Sequence, residues 1–191
     1  MIADQIHVAR ERLRSDRPGA LAALNELFRG GAPPSPPLAG RYAGELVALD
    51  VAPGLTQLAA ALAAAWLPWQ GKGFDPQRAR GYNIFTRDSF PLANLFWPLY
   101  RRYVGDGPHT YRAFFFRTWA GPGLMDPDRQ VLKIDYDLPE NPPRTIRRVL
   151  DELVQIEDGL YLGKAHLRWW WGSWQTVAYF SLAAASDGRV G

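Results

Sequence analysis

Seven short segments rich in Tyr, Phe, Val and Ile, each cut off by Gly, Pro or an Asp-Gly pair, constrain this chain more than any other feature. They are RYAGELVAL (41–49), GYNIFT (81–86), TYRAFFFRTW (110–119), VLKIDYDL (131–138), LDELVQIE (150–157), LYLGKAHLRW (160–169) and WQTVAYFSLA (174–183). Aromatic and β-branched side chains suit a pleated, half-buried surface, and runs this short between turn residues predict strands. Asp158-Gly159 and Gly172-Ser173 are tight hairpin signals, so the last three strands form an antiparallel meander. At least seven strands joined by turns predict a mainly β fold, a closed or nearly closed antiparallel barrel, with a sandwich as the alternative.

Helical spacing is confined to a few places. Ile2, Ile6, Ala9 and Leu13 fall on one stripe. Asp16 is then placed to cap a second helix, with Pro18 in its first turn, Leu21, Leu24, Leu27 and Phe28 on its apolar side, and Gly30-Gly31 at its end. Leu55, Leu58, Leu62 and Trp66 predict one short inserted helix stopped by Pro68. PLANLFWPLYRRYVGDG (91–107) is apolar but broken by Pro98 and reads as a short helix or irregular cover. APPSPP (32–37) is a stiff connector, because too little chain precedes it to fold alone. The organisation expected is one domain over 1–191: N-terminal helices in 1–31, a barrel in 38–184 and a flexible tail in 185–191.

Several classes of chemistry are excluded. Without a single Cys there is no disulfide framework, thiolate metal site or Cys nucleophile. The three histidines, His7, His109 and His166, lack the i,i+4 pairing of zinc hydrolases, so no metal and no cofactor are expected. No G-x-S-x-G, P-loop or G-x-G-x-x-G motif occurs. The start has no continuous apolar run of a secretory signal, which favours a cytoplasmic protein. Trp169 to Ala185 is interrupted by Gln175, two Ser and a Gly, so no membrane span is expected. Net charge is only +3, and all but Lys72, Lys133 and Lys164 of the 22 basic residues are scattered arginines, so nucleic acid is not an expected partner.

Gly40-Arg41-Tyr42-Ala43-Gly44 resembles the GXWXG motif that names a small domain family of unknown function, with Tyr42 in the place of Trp. Trp69-Gln70-Gly71-Lys72-Gly73-Phe74-Asp75 is similar to that family's W-x-G-K-x-F-D stretch, and VLDELVQIEDGLYLGKA loosely resembles the domain that follows it. A G-x-W-like element opening the first strand is also similar to lipocalins and other calycin barrels. The resemblance implies a lipocalin-like barrel that binds a small apolar ligand.

Strand alternation sorts the candidate residues by face. Lys164, His166 and Arg168 oppose Tyr161, Gly163, Ala165 and Leu167, while Lys133, Asp135 and Asp137 oppose Leu132, Ile134 and Tyr136. The default puts both charged faces in solvent outside the barrel. The functional alternative brings one or two of these groups inside. In that arrangement His166 is a candidate general base oriented by Asp135, with Lys133 and Tyr136 as further candidates. Arg112 shares a face with Phe114 and Phe116 and is the better candidate for a charge beside an apolar lumen. Lys72 and Asn83 are polar residues set among Gly and aromatic side chains, flanked by Trp69 and Tyr82. RWWWGSWQ (168–175) carries half of the eight tryptophans on one turn, where Trp171 and Trp174 suit a pocket rim. Tyr42, Trp69, Lys72, Tyr82, Asn83, Arg112, Phe114, Phe116, Trp171 and Trp174 are therefore the expected ligand-binding residues, with His166, Asp135 and Tyr136 the catalytic candidates.

Three functions fit this reading. The leading one is binding of an acyl chain, isoprenoid or polyketide-like ligand in the lumen. The second is a small barrel enzyme, a cyclase, isomerase or dehydratase. The third is a protein-interaction module that docks through the Trp turn.

Overall fold

The computed structural model describes residues 2–50 and 68–184, and in it all seven predicted segments are strands. An eighth strand lies at Trp69–Asp75, in the glycine-containing stretch. The strands are β1 (Gly40–Leu49), β2 (Trp69–Asp75), β3 (Arg80–Thr86), β4 (Val104–Gly105), β5 (Thr110–Pro122), β6 (Gln130–Asp135), β7 (Val149–Glu157), β8 (Leu160–Arg168) and β9 (Trp174–Ala184). Their order is β3-β2-β1-β9-β8-β7-β6-β5, and β3 pairs with β5 to close an eight-stranded antiparallel barrel, with the two-residue β4 added on β5. Closure leaves no long unpaired edge for another chain to extend. The helix expected at 55–66 and the tail at 185–191 lie outside the described residues.

Because neighbouring strands alternate in direction, alternate connections leave opposite ends. The hairpins at 76–79, 123–129 and 158–159 lie at one end, called here the lower end. The connections 87–109, 136–148 and 169–173 lie at the upper end. The broken apolar stretch supplies one short helix there, α3 (Phe90–Phe96), which follows a 3-10 turn at Arg87–Ser89.

Two N-terminal helices, α1 (Ile2–Arg12) and α2 (Arg17–Gly30), pack on the outer wall. The Asp16 carboxylate accepts the Gly19 N–H at 2.9 Å and so fixes the start of α2. Ile6, Ala9, Leu24 and Phe28 bury against Val47, Val131, Val154, Leu162 and Tyr179, outward apolar residues of five strands. A larger core lies inside the barrel, including Phe74, Phe85, Phe116, Ile134, Leu153, Phe180 and Leu182.

The glycines of the motif-like stretches have a steric reason. A Cβ on Gly44 would lie 2.4 Å from the Trp69 ring, so its absence lets the indole lie against β1. Gly71 has φ +135°, and a Cβ there would come 2.0 Å from the Tyr42 carbonyl oxygen. This close approach of β1 and β2 orients Lys72, the next residue, into the barrel.

Candidate functional site

Lys72 on β2 and Asn83 on β3 face each other in register. The Lys72 ammonium donates to Asn83 Oδ1 at 2.9 Å, to the Tyr136 hydroxyl, and to Asp151 Oδ2 on β7 at 2.9 Å. Tyr136, just beyond the end of β6, donates its hydroxyl proton to the same Asp151 oxygen at 3.0 Å. Asn83 also accepts the Trp69 indole N–H at 3.1 Å and donates to the Phe114 carbonyl at 3.1 Å. These contacts cross the barrel, and all four polar residues are buried.

The setting is apolar and aromatic. The rings of Trp69, Phe116, Tyr136 and Phe180 have their centroids 5.1 to 5.5 Å from Lys72 Nζ, so their π faces supply part of the solvation that water would otherwise give. Burial pushes the Lys72 ammonium below its ordinary pKa, against the pull of the Asp151 carboxylate. Burial, then the neighbouring Asp151 charge, pushes the Tyr136 hydroxyl well above its ordinary value. Three buried side-chain polar atoms have no hydrogen-bond partner among the described residues: Asp151 Oδ1 in this interior, Arg112 Nε on β5 and Asn141 Oδ1 in the 136–148 connection.

A second buried polar layer lies on the outer wall. Glu152 accepts from Lys133 and from the Leu124 N–H at 2.6 Å, and its other oxygen meets His166 Nε2 at 3.1 Å. Thr176 Oγ1 lies 3.1 Å from His166 Nδ1. Lys164 donates to Asp126 and to Asn25, each at 2.6 Å, and lies over the Phe28 ring, while Arg29 holds the other Asp126 oxygen. Burial would raise the Glu152 carboxyl, but hydrogen bonds and charge from His166 and Lys133 outweigh it and hold it below its ordinary value. Every one of these charges is matched, so the layer fastens α2 and the 123–129 hairpin to the wall.

The expected site residues thus divide. Trp69, Lys72, Asn83 and Tyr136 come together in the interior, and Phe116 packs against Tyr136 beside them. Phe114 lies toward the upper end against Phe85, Trp97 and Tyr100, and Tyr42 sits edge-on to Phe74 and Tyr161. Lys133, Lys164 and His166 point outward as alternation implies, yet they are buried under α2 and the hairpin rather than solvated. The partners of His166 are Glu152 and Thr176, whereas Asp135 is engaged by Arg117.

Arg112 does not share the inward face of Phe116. Phe114 adopts φ +50° and the β3–β5 register shifts there, so the alternation changes phase between them. Arg112 instead pairs with Asp106 and covers the outward ring of Tyr82. In the Trp turn, Trp169 stacks on Trp171 at 5.0 Å, Trp169 donates to Gln175, and Arg168 lies over Trp174. Asp151 is the interior residue that sequence reasoning missed. Among the described residues no group of three His, Asp or Glu side chains comes together to hold a metal ion.

No family model and no curated protein sequence matches this chain. The resemblance to the GXWXG family therefore rests on residues 40–44 and 69–75 and the looser stretch near 149–165. A crystal structure of a protein from Thermomonospora curvata is similar with a TM-score of 0.51, over 96% of this chain and 99% of that one, at 15% identity. At that identity the likeness is one of fold alone. Among the described residues no helix is long and apolar enough to cross a membrane.

Proposed function

We propose that the barrel binds a small, mainly apolar ligand whose polar end donates a hydrogen bond to Asp151. The observation that carries this reading is the unpartnered Asp151 Oδ1 in an aromatic interior. A buried carboxylate oxygen without a donor costs about 1–3 kcal/mol, and such exceptions call for a specific partner. The open position is an acceptor, which selects the ligand's chemistry. An alcohol, enol or phenol completes the network, whereas a carboxylate would meet the Asp151 charge at short range. The surrounding Phe, Trp and Tyr rings suit an isoprenoid, acyl or polyketide-like body.

The test is a tryptophan-fluorescence titration with three probes of one chain length: 1-decanol, 2-decanone and decanoate. The alcohol should bind at least about tenfold more tightly than either of the others, the worth of one hydrogen bond to a charged acceptor. Asp151→Asn should erase that preference. Equal affinity for all three, or a preference for decanoate, would refute the assignment.

A second reading has its own support in the Lys72–Tyr136–Asp151 arrangement. Two donors and an acceptor within hydrogen-bond reach can polarise a carbonyl while a carboxylate takes up a proton, the work of an isomerase or dehydratase. Deuterium appearing beside the carbonyl of 2-decanone in heavy water, with wild type but not Asp151→Asn, would favour it.

A further inference from the structure

We infer that the upper end of the barrel is a docking surface for an anionic phospholipid bilayer. Among the described residues, eight of the eleven exposed large apolar ones sit on its connections: Phe90, Leu92, Leu95, Phe96, Leu99 and Val104 between β3 and β5, and Trp170 and Trp171 between β8 and β9. Leu95, Leu99 and Trp170 are 73, 87 and 75% exposed, so these side chains point into solvent. Outside this end, the exposed large apolar residues among those described are Val8, Trp119 and Met125. Apolar exposure concentrated in this way marks an interaction surface.

The charge around these tips selects the partner. Arg87, Arg101 and Arg102 are exposed on the β3–β5 connection, Arg144 is exposed on the 136–148 connection of the same end, and Arg168 adjoins the Trp turn. Of the four acids on the connections 87–109 and 136–148, Asp106 is held by Arg41 and Arg112 and Asp137 by Arg147, which leaves Asp88 and Glu140 against the arginines. The surface therefore combines Trp, Phe and Leu with an excess of arginine over acid, the composition that anionic lipid attracts. Its shape points the same way. In the ring of eight strands the β3–β5 connection and the β8–β9 turn leave from opposite sides, so the apolar residues are carried on two connections rather than one. A bilayer meets both at once, whereas a protein interface has one packed core depleted of charge.

The inference rests on surface residues and goes beyond the interior ligand site. The experiment is flotation of the full chain with vesicles of pure phosphatidylcholine and with vesicles containing phosphatidylglycerol as the minor component. Wild type should float with the anionic vesicles. Leu95→Glu/Leu99→Glu and Trp170→Ser/Trp171→Ser should each reduce partitioning at least about tenfold. Arg101→Ala/Arg102→Ala should lose roughly fivefold per arginine on anionic vesicles and nothing on neutral ones. Val8→Glu on α1, and Asp151→Asn inside the barrel, should float like wild type. All six positions changed at this end are solvent-exposed, so far-UV spectra should match wild type and exclude misfolding as the cause. Wild type that fails to float overturns the proposal, as does a Leu95→Glu/Leu99→Glu variant that floats normally. A dimer in solution that this variant dissociates would assign the surface to a second copy and overturn it too. The decanol titration is read without vesicles, so either inference can fail while the other stands.

Discussion

Replacing Lys72 by Met tests whether the interior pair is an energetic unit. Met keeps an unbranched apolar stem among the four rings, so packing changes little. What is lost is the ammonium, with its hydrogen bonds to Asn83, Tyr136 and Asp151. Asn83 keeps the Trp69 indole, and Tyr136 keeps Asp151. Asp151 keeps only the tyrosine hydroxyl and becomes a buried charge without a counter-ion. Removing one partner of such a pair costs about 3–5 kcal/mol, most of it the penalty on the charge left behind. For a chain of this length each kcal/mol lowers the melting temperature by about 2–4 °C, so a drop of roughly 6–20 °C is expected. The double variant Lys72→Met/Asp151→Leu should recover most of the loss, because it removes both charges and leaves an apolar interior. Urea unfolding of the four-member cycle measures the coupling, expected at about 2–3 kcal/mol. A Lys72→Met protein within about 1 kcal/mol of wild type would refute the claim that Asp151 depends on Lys72. The alkaline limb gives an independent sign. The folded pKa of Lys72 lies below its unfolded value near 10.5, so beneath that pH the unfolded chain binds the proton that the folded chain has released. Wild-type stability should therefore rise with pH through that window, and the Met variant should lack this contribution.

Two further predictions concern the wall and the β1–β2 contact. Glu152 has a folded pKa below its unfolded one, so its contribution is complete above pH 4.5 and is lost as pH falls through the folded value. Thermal melts of Glu152→Gln from neutral to acid pH should show a flatter acid limb than wild type, and an unchanged slope would show that the layer does not titrate with folding. Gly71→Ala puts a Cβ against the Tyr42 carbonyl at φ +135° and should cost more than Gly159→Ala, which has φ +70° at an open hairpin tip. The second should cost about 1 kcal/mol and the first at least about twice that, and equal melting temperatures would contradict the close-approach argument.

The seven strands were legible because aromatic and β-branched residues stand between unambiguous turns. The eighth was not. WQGKGFD has two glycines around a lysine, and it is a strand because Gly71 permits the approach to β1 and Tyr82 lies across Gly73. The phase of β5 was misread for a related reason: nothing local in TYRAFFFRTW marks Phe114 as the residue that takes a positive φ. Asp151 was hidden by its own strand. In LDELVQIE neither alternating face is consistently apolar, so Asp151 and Glu152 look equivalent in sequence. One turns to Lys72, 79 positions earlier, and the other to Lys133, 19 positions earlier. Pairings at those separations are set by barrel closure, not by local pattern.

The same contrast separates the charges that hold the fold together from those that can act on something else. On the wall, Glu152 uses one oxygen for Lys133 and Leu124 and the other for His166, and Asp126 divides its oxygens between Lys164 and Arg29. In such a layer each carboxylate oxygen already has a donor, and the partners are the elements it fastens down. His166, the most chemically suggestive side chain in the sequence, is fully buried within it and faces away from the interior. Inside the barrel the balance differs. Asp151 receives two donors on one oxygen and none on the other among the described residues, in an aromatic setting where an unmet acceptor is costly. Because the wall charges are matched so fully, this unmet acceptor is where the proposal of a ligand donor rests.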